Sequence, residues 1–213
     1  MAQVPAAGRD QGGVNLQGLA DRAAIADAVA NWGLWRDTGR WELLRSLYTP
    51  DAIMHTTWFV GPAREFIDRS IEAAKRAGAR GQHFVGASSI ELNGDRAIAE
   101  TRMVLLLRAP LQGVEVDVTC HCRAHDRFVR HEGAWRIQVR ENIYEKDRLD
   151  PVDPAASVRL DPTELQRYPC GYRHLAYVQA SGGARVTPDL PVPGSDALAR
   201  LYAHAARWLQ LSK

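Results

Sequence analysis

Cysteine is scarce in this 213-residue chain, and the three present are too few for a disulfide framework. Cys120 and Cys122 form a C-x-C pair that an extended strand would point to one face, with His121 and His125 on the other. That split argues for reduced, packed thiols and against a zinc site, so no metal is expected. Long apolar runs are also missing. No 18-residue stretch could cross a bilayer, and the first twenty residues lack the apolar core and basic start of a secretory signal. A cytoplasmic location is therefore expected, with no membrane partner. Charge of one sign does not dominate either: 27 Lys and Arg are interspersed with 25 Asp and Glu, for a net charge of +2. With no basic run to track a phosphate backbone, nucleic acid is not an expected partner.

What is present suits a globular enzyme or binding domain. Hydrophobic residues make up 46% and charged residues 24%, enough to bury one substantial core. Residues 1–18 carry Gly, Ala and Gln with no period and read as a flexible arm. From Asp21, read as an N-cap, Ile25, Ala28, Val29, Trp32 and Trp35 recur at helical spacing. Gly39 interrupts, and Trp41, Leu44, Leu47 and Tyr48 make a second, shorter helix ending at Pro50. AIMHTTWF reads as a strand. Gly61-Pro62 opens a third helix with Phe66, Ile67 and Ile71 on one face and Gly78 past its end.

The period then becomes extended. Residues 82–92 and 96–108 flank Asn93-Gly94-Asp95, and residues 114–130 and 134–144 flank His131-Glu132-Gly133, two hairpin signals. Three helices followed by long antiparallel strands predict an α+β fold, a curved sheet wrapped on the N-terminal helices around an enclosed pocket. This domain spans 19–150. Residues 151–213 form a C-terminal extension, helical only at 195–209, whose tyrosines and Trp208 predict packing on the cone, on a neighbouring subunit or over the pocket mouth.

Three titratable residues stand out, and each alone has an ordinary structural reading. Asp37 closes the first helix in GLWRDTGRW, as many capping carboxylates do. His83 begins the strand HFVGASSIEL. Arg140 sits late in WRIQVREN, where alternation could turn it to solvent.

Their order and surroundings resemble the SnoaL-like branch of the NTF2-like superfamily, which includes scytalone dehydratase, hexachlorocyclohexane dehydrochlorinase and, more distantly, ketosteroid isomerase. The carriers are RAAIADAVANWGLWRD, the W-E-L-L-x-x-L-Y-x-P-D-A segment, a lone His before IELNGDRAIAET, and DRFVRHEGAWRIQVR. The resemblance implies a cofactor-independent lyase: His83 as general base, Asp37 orienting it, and Arg140 stabilising an oxyanion or leaving group. Trp32 falls where the dehydrochlorinase has a lysine, which counts against a chlorinated cyclohexane, and the isomerase's Asp base and Tyr donor have no counterpart. Trp32, Trp35, Trp58, Phe59, Phe84 and Tyr144 would suit a small aryl substrate, or serve as ordinary core; His55 and Arg102 are further pocket candidates, and His125 a weaker one.

The long tail after YEKDRLDP also resembles a bacterial subgroup containing lignin diarylpropane lyases, which implies deformylation of an aryl propanediol as an alternative to dehydration. A homo-oligomer, dimer or trimer, goes with the fold. The rival expectation is a non-catalytic binding or assembly module on the same scaffold.

Overall fold

The computed structural model describes residues 15–75 and 80–211. The expected arm up to residue 14 and the expected helix stop at Gly78 lie outside the described residues. The first helix, α1 (Leu16–Asp37), starts earlier than the sequence suggested, capped by the Asn15 side chain, which accepts from the Gly18 amide. Asp21 is consequently not a cap. It is buried inside α1, where Arg130 and Trp135 donate to its carboxylate at 2.8 and 3.0 Å. Those donors hold it below the ordinary carboxylate range, the Arg130 bond being the main cause.

The second helix, α2 (Trp41–Arg45), is only five residues long, and Tyr48 opens β1 (Tyr48–His55) instead of closing a helix. Pro50 cannot donate to a ladder, and the pairing of β1 slips between Tyr48 and Ile53 to accommodate it. Thr56 to Phe59 turn the chain into β2 (Val60–Pro62), so AIMHTTWF is part strand and part turn. The amphipathic α3 (Ala63–Ala74) follows, burying Phe66 and Ile67.

Four long strands come next: β3 (Arg80–Asn93), β4 (Arg96–Leu111), β5 (Val114–His131) and β6 (Ala134–Pro151). Two-residue turns join them; Gln112-Gly113 and Glu132-Gly133 both take positive φ, which matches the twist of the flanking strands. The six strands form one sheet in the order β2-β1-β6-β5-β4-β3, antiparallel except where β1 runs parallel to β6. One side of this sheet carries α1 and α3; the buried stripe of Ile25, Val29 and Trp32 faces it. Chain direction, strand order and this one-sided helix layer make the NTF2-like α+β cone.

Beyond Pro151 the chain forms α4 (Pro162–Gln166), α5 (Arg173–Ser181) and α6 (Asp196–Gln210), two more helices than the sequence suggested. α5 lies on the concave side of the long strands, with Tyr172, Leu175 and Ala176 fully buried. The Asp147 carboxylate fixes its start, accepting from the Leu175 amide and pairing with His174 Nδ1, both at 2.8 Å. α6 crosses to the convex side, where Asn93 and Arg96 donate to the carbonyls of Leu209 and Trp208, both at 2.7 Å.

Candidate active site

The close approach of α1 to β3 creates the site. Gly33 permits it, because a Cβ there would stand 2.6 Å from Val85 Cγ2. One helical turn later Asp37 reaches the start of β3, and its carboxylate spans His83. Oδ2 accepts from the His83 amide at 2.5 Å, and Oδ1 lies 2.6 Å from His83 Nδ1. A carboxylate only accepts, so this contact places the imidazole proton on Nδ1 and leaves the Nε2 lone pair available. The two side chains retain 13% and 14% exposure, so the dyad is reachable from outside.

Trp32 supports the ring from below. It meets His83 edge-on with centroids 5.2 Å apart, and its Nε1 donates to the Tyr48 hydroxyl at 2.6 Å. Burial pushes the Tyr48 hydroxyl up to about 12, so it stays protonated. The opposite support is Arg140, whose Cζ stands 4.1 Å from the Trp32 ring centroid. Arg140 is 1% exposed, and Nε and Nη2 each donate to a carboxylate oxygen of the fully buried Asp126 at 2.6 Å. Burial opposes the guanidinium charge, but the Asp126 carboxylate outweighs it and keeps Arg140 protonated. Two of its three nitrogens are therefore committed to a salt bridge.

A second cation lies at the end of α1. Arg36 follows Trp32 by four residues and stacks beside two rings, Cζ being 5.6 Å from Trp41 and 5.8 Å from Phe66. Its Nε is buried without a hydrogen-bond partner. Burial holds its pKa below the usual arginine value, against the pull of Asp37.

The remaining sequence candidates divide by sheet face. Trp32, Phe59 and Tyr144 are buried in the core; the Tyr144 hydroxyl accepts from the Thr57 amide at 3.2 Å, and its ring meets Tyr172. Trp35 and Trp58 are half-buried, Trp58 stacking on Phe66 at 5.3 Å. Phe84, His55 and Arg102 correct the sequence expectation, because all three face the convex side. Phe84 follows inward-facing His83 and is 68% exposed. Arg102 lies between the buried Thr101 and Met103 and is exposed, and His55 sits opposite Glu141 while its neighbour Met54 opposes Arg140. His125 shares the convex face, against Tyr202 of α6. A groove of about 610 Å³ there is lined by Phe84, Arg102 and His121, and a second, of about 460 Å³, lies beside Asp21 and Trp135; neither is lined by Asp37 or His83.

Asp126, Tyr48 and Arg36 were not singled out from the sequence. Asp126 had a readable signal: it interrupts the inward series Cys120, Cys122, Ala124 and Phe128 with a charge. Arg36 continues the buried stripe of α1, at four residues from Trp32 and seven from Val29.

Residues 17–141 match the model of the SnoaL-like domain. The chain belongs to the SnoaL-like family. A PEP2-like protein of Fusarium vanettenii is 32% identical to this SnoaL-like protein over 201 residues, covering 89% of the chain and 86% of the relative. Among solved structures, LinA, a hexachlorocyclohexane dehydrochlorinase, superposes with a TM-score of 0.54 at 18% identity, over 68% of this chain and 99% of LinA. A candidate scytalone dehydratase of Novosphingobium aromaticivorans gives 0.52 at 16% identity, over 67% and 97%. At these identities the structures speak for the fold. The SnoaL-like match ends before α4, whereas the fungal relative covers more of the chain than the domain does.

Among the described residues no group of three or more His, Cys, Asp or Glu is placed to hold a metal ion, and no helix is long and apolar enough to cross a membrane.

Proposed function

We propose that the protein is a lyase that removes a proton from a small hydroxylated aryl substrate with His83 as general base, using side chains alone. The observation carrying this reading is the two-point hold of Asp37 on His83, at the backbone amide and at Nδ1. That hold fixes tautomer and ring direction together, and the carboxylate stabilises the imidazolium formed once Nε2 has taken a proton. The SnoaL-like membership and the dehydratase and dehydrochlorinase of the same fold support elimination as the reaction class.

Two reactions fit these parts. In dehydration His83 takes a C–H proton, the electron pair becomes the double bond, and hydroxide leaves from the adjacent carbon, protonated by the imidazolium to water. In deformylation His83 takes the proton of a primary alcohol; the carbon–carbon bond opens to release formaldehyde, its electron pair forms the alkene, and the benzylic hydroxyl leaves as water with the same proton. Both end with His83 neutral. Arg140 would act here mainly by positioning, since Asp126 holds it against Trp32 and Trp32 supports the His83 ring.

The test is turnover of a panel of aryl propanediols, aryl alcohols and hydroxylated rings, followed by ultraviolet absorbance and formaldehyde release. A positioned base contributes on the order of 10² to 10⁴ in rate, so His83→Ala should lose about that much while remaining folded. Equal turnover by the variant would remove His83 from the mechanism, and a panel with no substrate at all would favour a binding module.

A further inference from the structure

Several guanidinium groups in this protein are matched to carboxylates. Arg140 has Asp126 in the interior; Arg123 has Glu100 and Glu145, Arg45 has Asp68, and Arg108 has Asp117 nearer the surface. Arg36 differs. No carboxylate lies within ion-pair distance of it among the described residues, and its Nε is buried without an acceptor; Arg173 shares that buried, unpaired Nε, but only Arg36 stands next to Asp37.

Its direction is set by α1. Residues 25, 29, 32 and 36 form one stripe at helical spacing, and the first three are buried against the sheet. Arg36 extends that stripe by one turn, at the end of the helix where Asp37 turns to His83. Trp41 and Phe66 flank its plane and fix it by cation–π contact, while their rings offer apolar walls. A desolvated donor with no acceptor costs free energy that the protein recovers only when something supplies the acceptor.

We propose that Arg36 is an anion-binding residue beside the dyad, and that the compound bound there carries a carboxylate on an aromatic ring. The guanidinium meets a carboxylate through parallel N–H donors, and the adjoining aryl group packs against Trp41 and Phe66. This deepens the lyase reading by adding a charged handle to its substrate; the anion site itself rests on Arg36, Trp41 and Phe66, independently of any proton transfer by His83.

The experiment titrates the protein with benzoate and with its neutral counterpart benzamide, observing the arginine Nε–H signals by nitrogen-15 NMR and tryptophan fluorescence. Benzoate should bind at least about tenfold tighter than benzamide and shift the Arg36 Nε–H signal, as a charge-assisted contact would require. Arg36→Gln should abolish that preference, and Arg36→Lys should restore part of it by returning the charge without the planar fork. His83→Ala should keep benzoate binding intact, and benzoate binding by a wild-type protein that turns over nothing in the panel leaves the anion site standing even if the lyase reading fails. Equal affinity for the two probes, no benzoate binding, or a preference that survives Arg36→Gln would overturn the proposal. Should Arg36→Gln not fold, the wild-type titration decides: benzoate that leaves the Arg36 signal unmoved also overturns it.

Discussion

Asp126 and Arg140 carry opposite charges in the deepest part of the core, and their value lies in being together. A buried pair gains little over well-packed apolar residues, but removing one member strands the other without water. Asp126→Leu should therefore cost about 3–5 kcal/mol, seen as a lower urea midpoint, whereas Asp126→Leu combined with Arg140→Met should recover most of that loss. A double variant no more stable than the single one would show that the pair acts through packing alone. At this scale the contact between Asp37 and His83 was legible because Asp37 closes a helix and His83 lies near the start of a strand, the order that the family resemblance implied. The facing of single residues was less legible. His83 and Phe84 were both expected in the pocket, yet consecutive strand residues point to opposite faces, and the α1 contact at Gly33 selects His83. Alternation sorts a strand into two sets; only packing says which set is inside.

Among the elements, the helices of the extension were the least legible. α4 has five residues and α5 nine, too short for a periodic pattern to emerge from a stretch rich in Pro, Asp and Gly. What holds them is close backbone contact. Gly171 passes so near β6 that a Cβ would stand 2.3 Å from the Tyr144 carbonyl oxygen, while the Tyr144 amide donates to the Pro191 carbonyl and the Thr187 amide to that of Thr57. Gly171→Ala should push the extension away from Tyr144 and destabilise the protein by about 1–3 kcal/mol, as overpacking does. Faster amide exchange at Tyr144 and in α5 would report it; exchange matching wild type would mean that the contact yields without cost. Two of the three long hairpins were legible as turn signals, because two-residue turns with glycine leave little choice of partner, but β6 runs on to Pro151, past the Tyr144 at which the sequence reading ended it.

Across the whole molecule, the convex face couples fold stability to acidity. His55, Glu141, His125 and Glu100 lie opposite one another on four adjacent strands, with Arg123 and Arg127 on either side of His125 along β5, the Asp126 charge behind it in the core, and Tyr202 over the row. Burial, the largest cause, holds both histidines below their ordinary 6.5, against the pull of Glu141 on each and of Glu100 on His125. The unfolded chain therefore binds protons that the folded chain refuses, so stability is complete above the ordinary histidine value and falls as pH drops through it toward the lower folded values. Urea midpoints should decline between about pH 7.5 and 5.5, and His125→Gln should flatten part of that slope. A wild-type midpoint unchanged over this range would rule the coupling out.

The position of α6 also sets when the molecule can be finished. Its last turn is bonded to Asn93 and Arg96, more than a hundred residues earlier in the chain, and α5 must already lie on the other side of the same sheet. During synthesis α5 and α6 emerge after the long hairpins, so the convex face and the part of the concave face under α5 must wait uncovered. Contacts of such sequence separation close slowly. A chain ending early at the close of β6 would contain the whole of the SnoaL-like match yet remain in that waiting state, a ready client for chaperones and proteases.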